Sequence, residues 1–264
     1  MPEPLIVTLG DVLALSLITP PDGLLAGSPE PAETRLFVGG QAAVCSCWVV
    51  AAGARARAVS ARSYDRLGDL LEAELADRGV ALEGPGVEGR TGVATVVRAP
   101  GARRTVLTDR GVCRKLAQEL LQPEWFEDAD VLHVSGYALL DQPSAGAVER
   151  ACEIARGSGA SLSVDLASAD IVSPLVRERI AQLQPDVALA TAAQAEAAGG
   201  IEDLADLAAI SDDGVLPAID PMGVAEAFAA GFLTALAAGA DEQDALDDGR
   251  LLADHCAGLD GPLP

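Results

Sequence analysis

Short apolar runs, often β-branched, alternate along this chain with longer Ala- and Leu-rich stretches, the pattern of a parallel sheet covered by helices. Leu5 to Leu9 reads as a first strand, ended by Gly10-Asp11. A helix over Gln41 to Ala52 follows Gly39-Gly40, and Arg55 to Val59 reads as the next strand. Arg66 to Asp77 predicts a helix stopped by Gly79. Asp130 to Val134 predicts a strand, and Pro143 to Arg156 a helix with proline in its first turn. Ser161 to Val164 is a strand closed by Asp165, and Asp186 to Leu189 is another. Thr191 to Ala198 and Glu202 to Ala209 read as short helical stretches, before a final helical pair over Gly223 to Ala238 and Glu242 to Ala257.

Two segments break this rhythm. Ile18 to Phe37 is rich in Pro and Gly, while Gly92 to Arg98 and Arg103 to Thr108 form two runs joined by Ala99-Pro100-Gly101-Ala102, which reads as a hairpin. Neither fits the alternating sheet, so both are expected in a small β appendage over one end of it. Open parallel sheets bind ligands beyond the carboxyl ends of their strands, where such an appendage acts as a lid. The expected organisation is one domain over 1–264, with lid segments at about 16–37 and 91–110.

Composition narrows the partners. Half the residues are apolar and aromatics are only 3%, so the core is built from Ala, Val and Leu. The longest apolar candidate, Ala42 to Ala54, is interrupted by Ser46 and Gly53 and falls short of the ~20 residues of a membrane helix. Met1-Pro2-Glu3-Pro4 lacks the basic start of a secretory signal, so a cytoplasmic protein without a membrane partner is expected. Forty acidic against 18 basic residues give a net charge of −22. Nucleic acid is bound through basic side chains that neutralise phosphates, so that partner class is excluded. The five cysteines are expected as free thiols behaving as small hydrophobes. With only His133 and His255 to add, no zinc spacing emerges and no metal cage is predicted.

Several short motifs then fall in one order: Gly39-Gly40-Gln41-Ala42-Ala43, Ala51-Ala52-Gly53-Ala54-Arg55-Ala56, Asp65-Arg66-Leu67-Gly68 and Arg78-Gly79-Val80. They continue with Thr91-Gly92, Arg104-Thr105, the Asp109-Arg110-Gly111 turn, Leu132 to Tyr137, Ser163-Val164-Asp165, and Asp220 to Phe228 followed by Ala229-Ala230-Gly231-Phe232. Together they resemble the PfkB (ribokinase-like) carbohydrate kinases over nearly the whole chain. The resemblance implies an α/β fold: a ribokinase-like three-layer sandwich with a mainly parallel central sheet and a small β lid. It also implies transfer of the ATP γ-phosphoryl group to a sugar or nucleoside hydroxyl, with Mg²⁺.

Carried over position by position, the resemblance places the base at Glu226, in a turn that reads Gly223-Val224-Ala225-Glu226 where the family has GAGD. The amides of Gly223, Val224 and Ala225 would hold phosphate, and Asp11, Gly39 and Gly40 would touch substrate. Glutamate for aspartate displaces the carboxylate by about 1.5 Å; Glu226 is therefore either a poor base or a first-turn acid favoured by the helix dipole. Pro221 and Met222 replace two threonines. Leu15 stands where the family has a substrate-holding Asp, Val44 where it has an Asn, and Thr191-Ala192-Ala193-Gln194 where N-x-x-E orders Mg²⁺ and phosphates. Glu196 is the nearest acid to a shifted replacement, and Arg104 or Arg110 would neutralise phosphate. Between Leu189 and Asp220 the chain is shorter than the family by about 30 residues, one supersecondary unit, so the fold is expected to be shortened near the nucleotide-binding end. An exposed sheet edge there would favour a homodimer. Three readings follow: a pseudokinase-like protein without catalysis, an active sugar or nucleoside kinase using ATP and Mg²⁺, or a chain whose deletion removed function without replacing it.

Overall fold

The computed structural model describes residues 3–20, 31–99, 103–166, 168–211 and 222–264. The expected connection at 100–102, most of the polar turn after Ser211, and Asp220 and Pro221 lie outside these residues.

The chain enters through β1 (Leu5–Leu9), leaves the main sheet for β2 (Leu13–Thr19) and β3 (Glu33–Gly39), and returns through α1 (Gln41–Ala51) and β4 (Arg55–Val59). A two-residue strand β5 (Arg62–Ser63), α2 (Arg66–Asp77), β6 (Val80–Glu83) and another short strand β7 (Gly86–Val87) follow. The second excursion is β8 (Gly92–Ala99) and β9 (Arg103–Asp109). Strands and helices then alternate: β10 (Val131–Ser135), α3 (Gln142–Gly157), β11 (Ser161–Asp165), α4 (Pro174–Leu183), β12 (Val187–Ala190), α5 (Ala192–Ala198) and β13 (Leu207–Ile210). Helices α6 (Val224–Ala237) and α7 (Glu242–Ala257) close the described fold.

Among the described residues the main sheet is parallel throughout, in the order β13-β12-β11-β10-β1-β4-β6. Side chains alternate between its faces. Ile6, Val131, Val187 and Leu189 pack with α1, α2, α6 and α7; Leu5, Val7, Leu132, Leu162 and Ala188 pack with α3 and α4 on the other side. These are the two helical layers of a three-layer sandwich. Helix α1 is apolar all round and lies buried, as such helices must. Helices α6 and α7 approach closely because Gly231 and Gly249 face each other's helix; a Cβ on Gly231 would lie 2.7 Å from the Asp248 carbonyl.

The two irregular segments meet in a second sheet, ordered β3-β2-β8-β9. It begins at Leu13, earlier than the sequence indicates, and the β8–β9 hairpin is antiparallel as its sequence predicts. Its inner face carries Leu13, Leu15, Leu17, Ala94 and Val96, which pack on Met222 at the entry to α6. The lid base is tied to the body by α2, whose N-cap Asp65 accepts from Gly68 N (2.8 Å), Thr91 N (2.7 Å) and Thr91 Oγ1 (2.6 Å). Burial opposes ionisation of Asp65, yet these hydrogen bonds outweigh it and pull the carboxyl down to about 2.

One element differs from the sequence reading. Glu202 to Ala209 is not a helical stretch: residues after α5 turn, and Leu207–Ile210 pairs in parallel with β12 as β13. Alanine favours helix only weakly, and a sheet edge offering a full ladder of partners overrides it. A further strand is therefore present after β12.

Candidate active site

Parallel register builds the site. Thr8, His133 and Ser163 lie side by side on β1, β10 and β11, and one step further Ser135 pairs with Asp165. All five side chains point to the α1/α6 face, giving a polar row at the carboxyl ends of otherwise apolar strands. The row is internally bonded: Thr8 Oγ1 donates to the Ala42 carbonyl (2.9 Å), and His133 Nδ1 meets Ser163 Oγ at 3.0 Å. His133 Nε2 lies 3.3 Å from Asp165 Oδ2, while Asp165 Oδ1 accepts from Gly136 N at 3.1 Å.

Two helices aim their N-termini at this row. Helix α1 starts after Gly40 and α6 after Gly223, both in the positive-φ conformation that glycine adopts without strain (φ 92° and 83°). Gln41, the first residue of α1, accepts from Ser135 Oγ and hydrogen-bonds Glu226 in the first turn of α6. Burial raises the proton affinity of Glu226, and the nearby Asp165 charge raises it further; the hydrogen bonds and Arg104 of β9 oppose this only in part. Burial likewise pushes the Tyr137 phenol up, with added repulsion from Glu226 and Asp165. Cys45, also desolvated beside Asp165 and Glu226, is held as a neutral thiol. Glu226, Asp165, Gln41, Tyr137 and Arg104 thus converge where the lid meets the sheet. Such a cluster can hold or accept a proton at Glu226.

The substrate-side residues expected from the sequence also come together, with Asp11 paired to an arginine. Gly40 runs so close to the loop after β1 that a Cβ there would lie 2.1 Å from the Asp11 carbonyl. Both Asp11 carboxylate oxygens accept from Arg110, from Nε at 2.7 Å and Nη2 at 2.8 Å, and Arg110 Nη1 also holds Asp141 at 2.6 Å. Burial alone would lower the Arg110 pKa, but its bonds to Asp11 and the Asp141 charge raise it instead. Arg110 is therefore held between these two carboxylates. Leu15 and Val44 are buried in apolar packing, 7% and 5% exposed.

At the start of α5, Thr191 Oγ1 accepts from Gln194 N (3.2 Å) and Gln194 Oε1 accepts from Thr191 N (2.7 Å), a closed capping box. Gln194 Nε2 donates to the Leu166 carbonyl as well, and Glu196 is exposed. Thr191 and Gln194 do not fit a Mg²⁺ site, since neither carries a carboxylate and both are engaged in the cap. Among the described residues no cluster of three His, Cys, Asp or Glu side chains could hold a metal, and no helix is long and apolar enough to cross a membrane.

Two parts of the site escape sequence reasoning. Gln41 and Asp165 stand inside motifs that read as helix start and strand end, and only the packing of α1 and α6 on the sheet brings them to Glu226. The available signal was the period-two polar pattern His133, Ser135 and Ser163, Asp165, which puts four polar groups on one face of two buried strands.

A central parallel sheet between helical layers, a four-stranded lid and a helix N-terminus carrying an acid define a ribokinase-like kinase fold. The solved adenosine kinase of Sinorhizobium meliloti superposes with a TM-score of 0.86 at 18% identity, over 100% of this chain and 96% of that one. An E. coli protein assigned as a ribokinase II, solved with ATP and Mg²⁺, matches with a TM-score of 0.85 at 18% identity, covering 98% and 94%. Ribokinase of Thermotoga maritima gives 0.79 at 17% identity, covering 98% and 96%. The chain belongs to the pfkB family carbohydrate kinases, whose family model matches residues 3–212. No curated protein matches it in sequence.

Proposed function

We propose that this chain is a pseudokinase-like member of the pfkB family, which no longer transfers phosphate and acts through a bound sugar- or nucleoside-like ligand, a partner or a second copy of itself. The observation that carries the reading is the capping box: the positions that resemble the family's N-x-x-E are spent on closing the α5 N-terminus. Leu15 and Val44, apolar and buried where hydroxyl-binding groups are expected, support it. A sugar hydroxyl buried against such side chains without a partner loses about 1–3 kcal/mol or more. In this reading the chain works as one domain, 1–264, in the cytoplasm, with lid segments 16–37 and 91–110. Among the described residues β13 is the last strand of the sheet, and its edge is where a second copy would pair.

A second reading keeps catalysis. Its warrant is Glu226, whose burial beside Asp165 raises its proton affinity toward that of a working base. Glu226 would take the proton of an attacking hydroxyl, the amides of Gly223, Val224 and Ala225 would hold the phosphoryl oxygens, and Arg104 would add positive charge. ATP and Mg²⁺ supply the phosphoryl group in that case. The readings separate in a transfer assay over a panel of sugars and nucleosides with MgATP, analysed by mass spectrometry. The proposal predicts no phosphorylated product above that of Glu226→Gln; product that Glu226→Gln abolishes establishes the kinase.

A further inference from the structure

We infer that the segment after α7, residues 258–264, is a strap that latches the lid sheet onto the body, with Asp260 as its ionic catch. On the body side the strap is held by main-chain contacts. Trp48 Nε1 donates to the Pro262 carbonyl at 2.8 Å, and Arg78 Nη1 donates to the Pro264 carbonyl at 3.1 Å. Gly223 lies so near that a Cβ there would sit 2.5 Å from the Pro262 carbonyl oxygen. On the lid side, Asp260 Oδ1 accepts from Arg98 Nη1 at 2.8 Å, Oδ2 pairs with Arg35, and Arg35 Nη1 donates to the Asp260 carbonyl at 3.0 Å. A Cβ on Gly261 would meet the Phe37 ring at 2.8 Å. Arg35 belongs to β3 and Arg98 to β8, the two neighbours of β2, so one carboxylate spans three lid strands.

The two ends differ in exposure. Gly261, Pro262 and Leu263 are buried, whereas the Asp260 side chain is 45% exposed. Exposed ion pairs are screened by salt and buried ones much less. The opposite side of the lid is held by the buried Arg110–Asp11 pair, 11% and 8% exposed. The lid base is therefore held firmly, at Arg110 and at Asp65, while the Asp260 contact is the exposed and releasable one. Opening proceeds at Asp260, pivots about Arg110, and uncovers Leu15, Phe37 and Met222.

Amide hydrogen exchange read by mass spectrometry tests this on the full chain without nucleotide, independently of whether the kinase chemistry survives. The latch predicts several-fold faster exchange over 33–39 and 92–98 in Asp260→Asn, and in the unmodified protein on going from 50 to 500 mM NaCl. Peptides of β10, β11 and α3 keep their rates, and salt adds little in the variant. Lid exchange that is the same in all conditions overturns the latch. Should Asp260→Asn exchange faster everywhere, the salt series on the unmodified protein decides: a response confined to the lid supports the latch, and a uniform response or none overturns it.

Discussion

Glu226 shows how much of a residue's chemistry lies in its neighbours. The sequence places it in the first turn of a helix after a Gly-containing turn, and that much is read directly from Gly223-Val224-Ala225-Glu226. Its raised proton affinity comes from burial and from Asp165, 61 positions earlier in the chain, and so from the packing of α6 against the sheet. A group whose folded pKa is raised stabilises the fold fully below its unfolded pKa and loses that contribution as pH rises through the folded value. The pH range above about 4, the ordinary glutamate value, is therefore where Glu226 weakens the fold. Glu226→Gln should gain thermal stability relative to the unmodified protein as pH rises from 4 to 7. A difference in melting temperature that stays constant across that range contradicts the burial of Glu226 beside Asp165. Asp11 teaches the converse: its place after β1 was legible, but its capture by Arg110 joins residues on different excursions of the chain and leaves no trace in local pattern.

Elements bounded by capping residues and strong apolar runs were legible almost to the residue. Helix α2 over Arg66–Asp77 and α7 over Glu242–Ala257 each begin at an aspartate N-cap, Asp65 and Asp241. Strand β13 was not, because Leu207-Ala208-Ala209-Ile210 carries helix-favouring alanine and only the neighbouring β12 ladder makes it a strand. The same limit applies to β2 and β3, whose pairing depends on closing long loops rather than on local signal. The α6–α7 contact gives a sign test at this scale. An exposed Gly→Ala change inside a helix stabilises it by about 1 kcal/mol. At Gly231 the added methyl meets the Asp248 carbonyl and the Gly249 Cα, so Gly231→Ala should instead destabilise by about 1–3 kcal/mol. Urea denaturation checks this; a stabilised variant would mean the two helices sit further apart.

For the whole molecule, the fold is that of the family, and the proposal is that its chemistry is not. The parallel sheet, its two helical layers and the lid match solved structures of the ribokinase-like fold, because apolar periodicity and turn glycines suffice to specify them. Phosphoryl transfer asks for more, since its catalysis is positioning and charge stabilisation by a few side chains. Here those positions hold Leu15, Val44 and a capping box, while the polar row under α1 is bonded within itself and to α1. We propose on this ground a scaffold that no longer supports nucleotide chemistry. Calorimetric titration of the purified protein with MgATP, carried to millimolar nucleotide, tests this most directly. The account predicts no saturable heat; a dissociation constant in the micromolar range would contradict it.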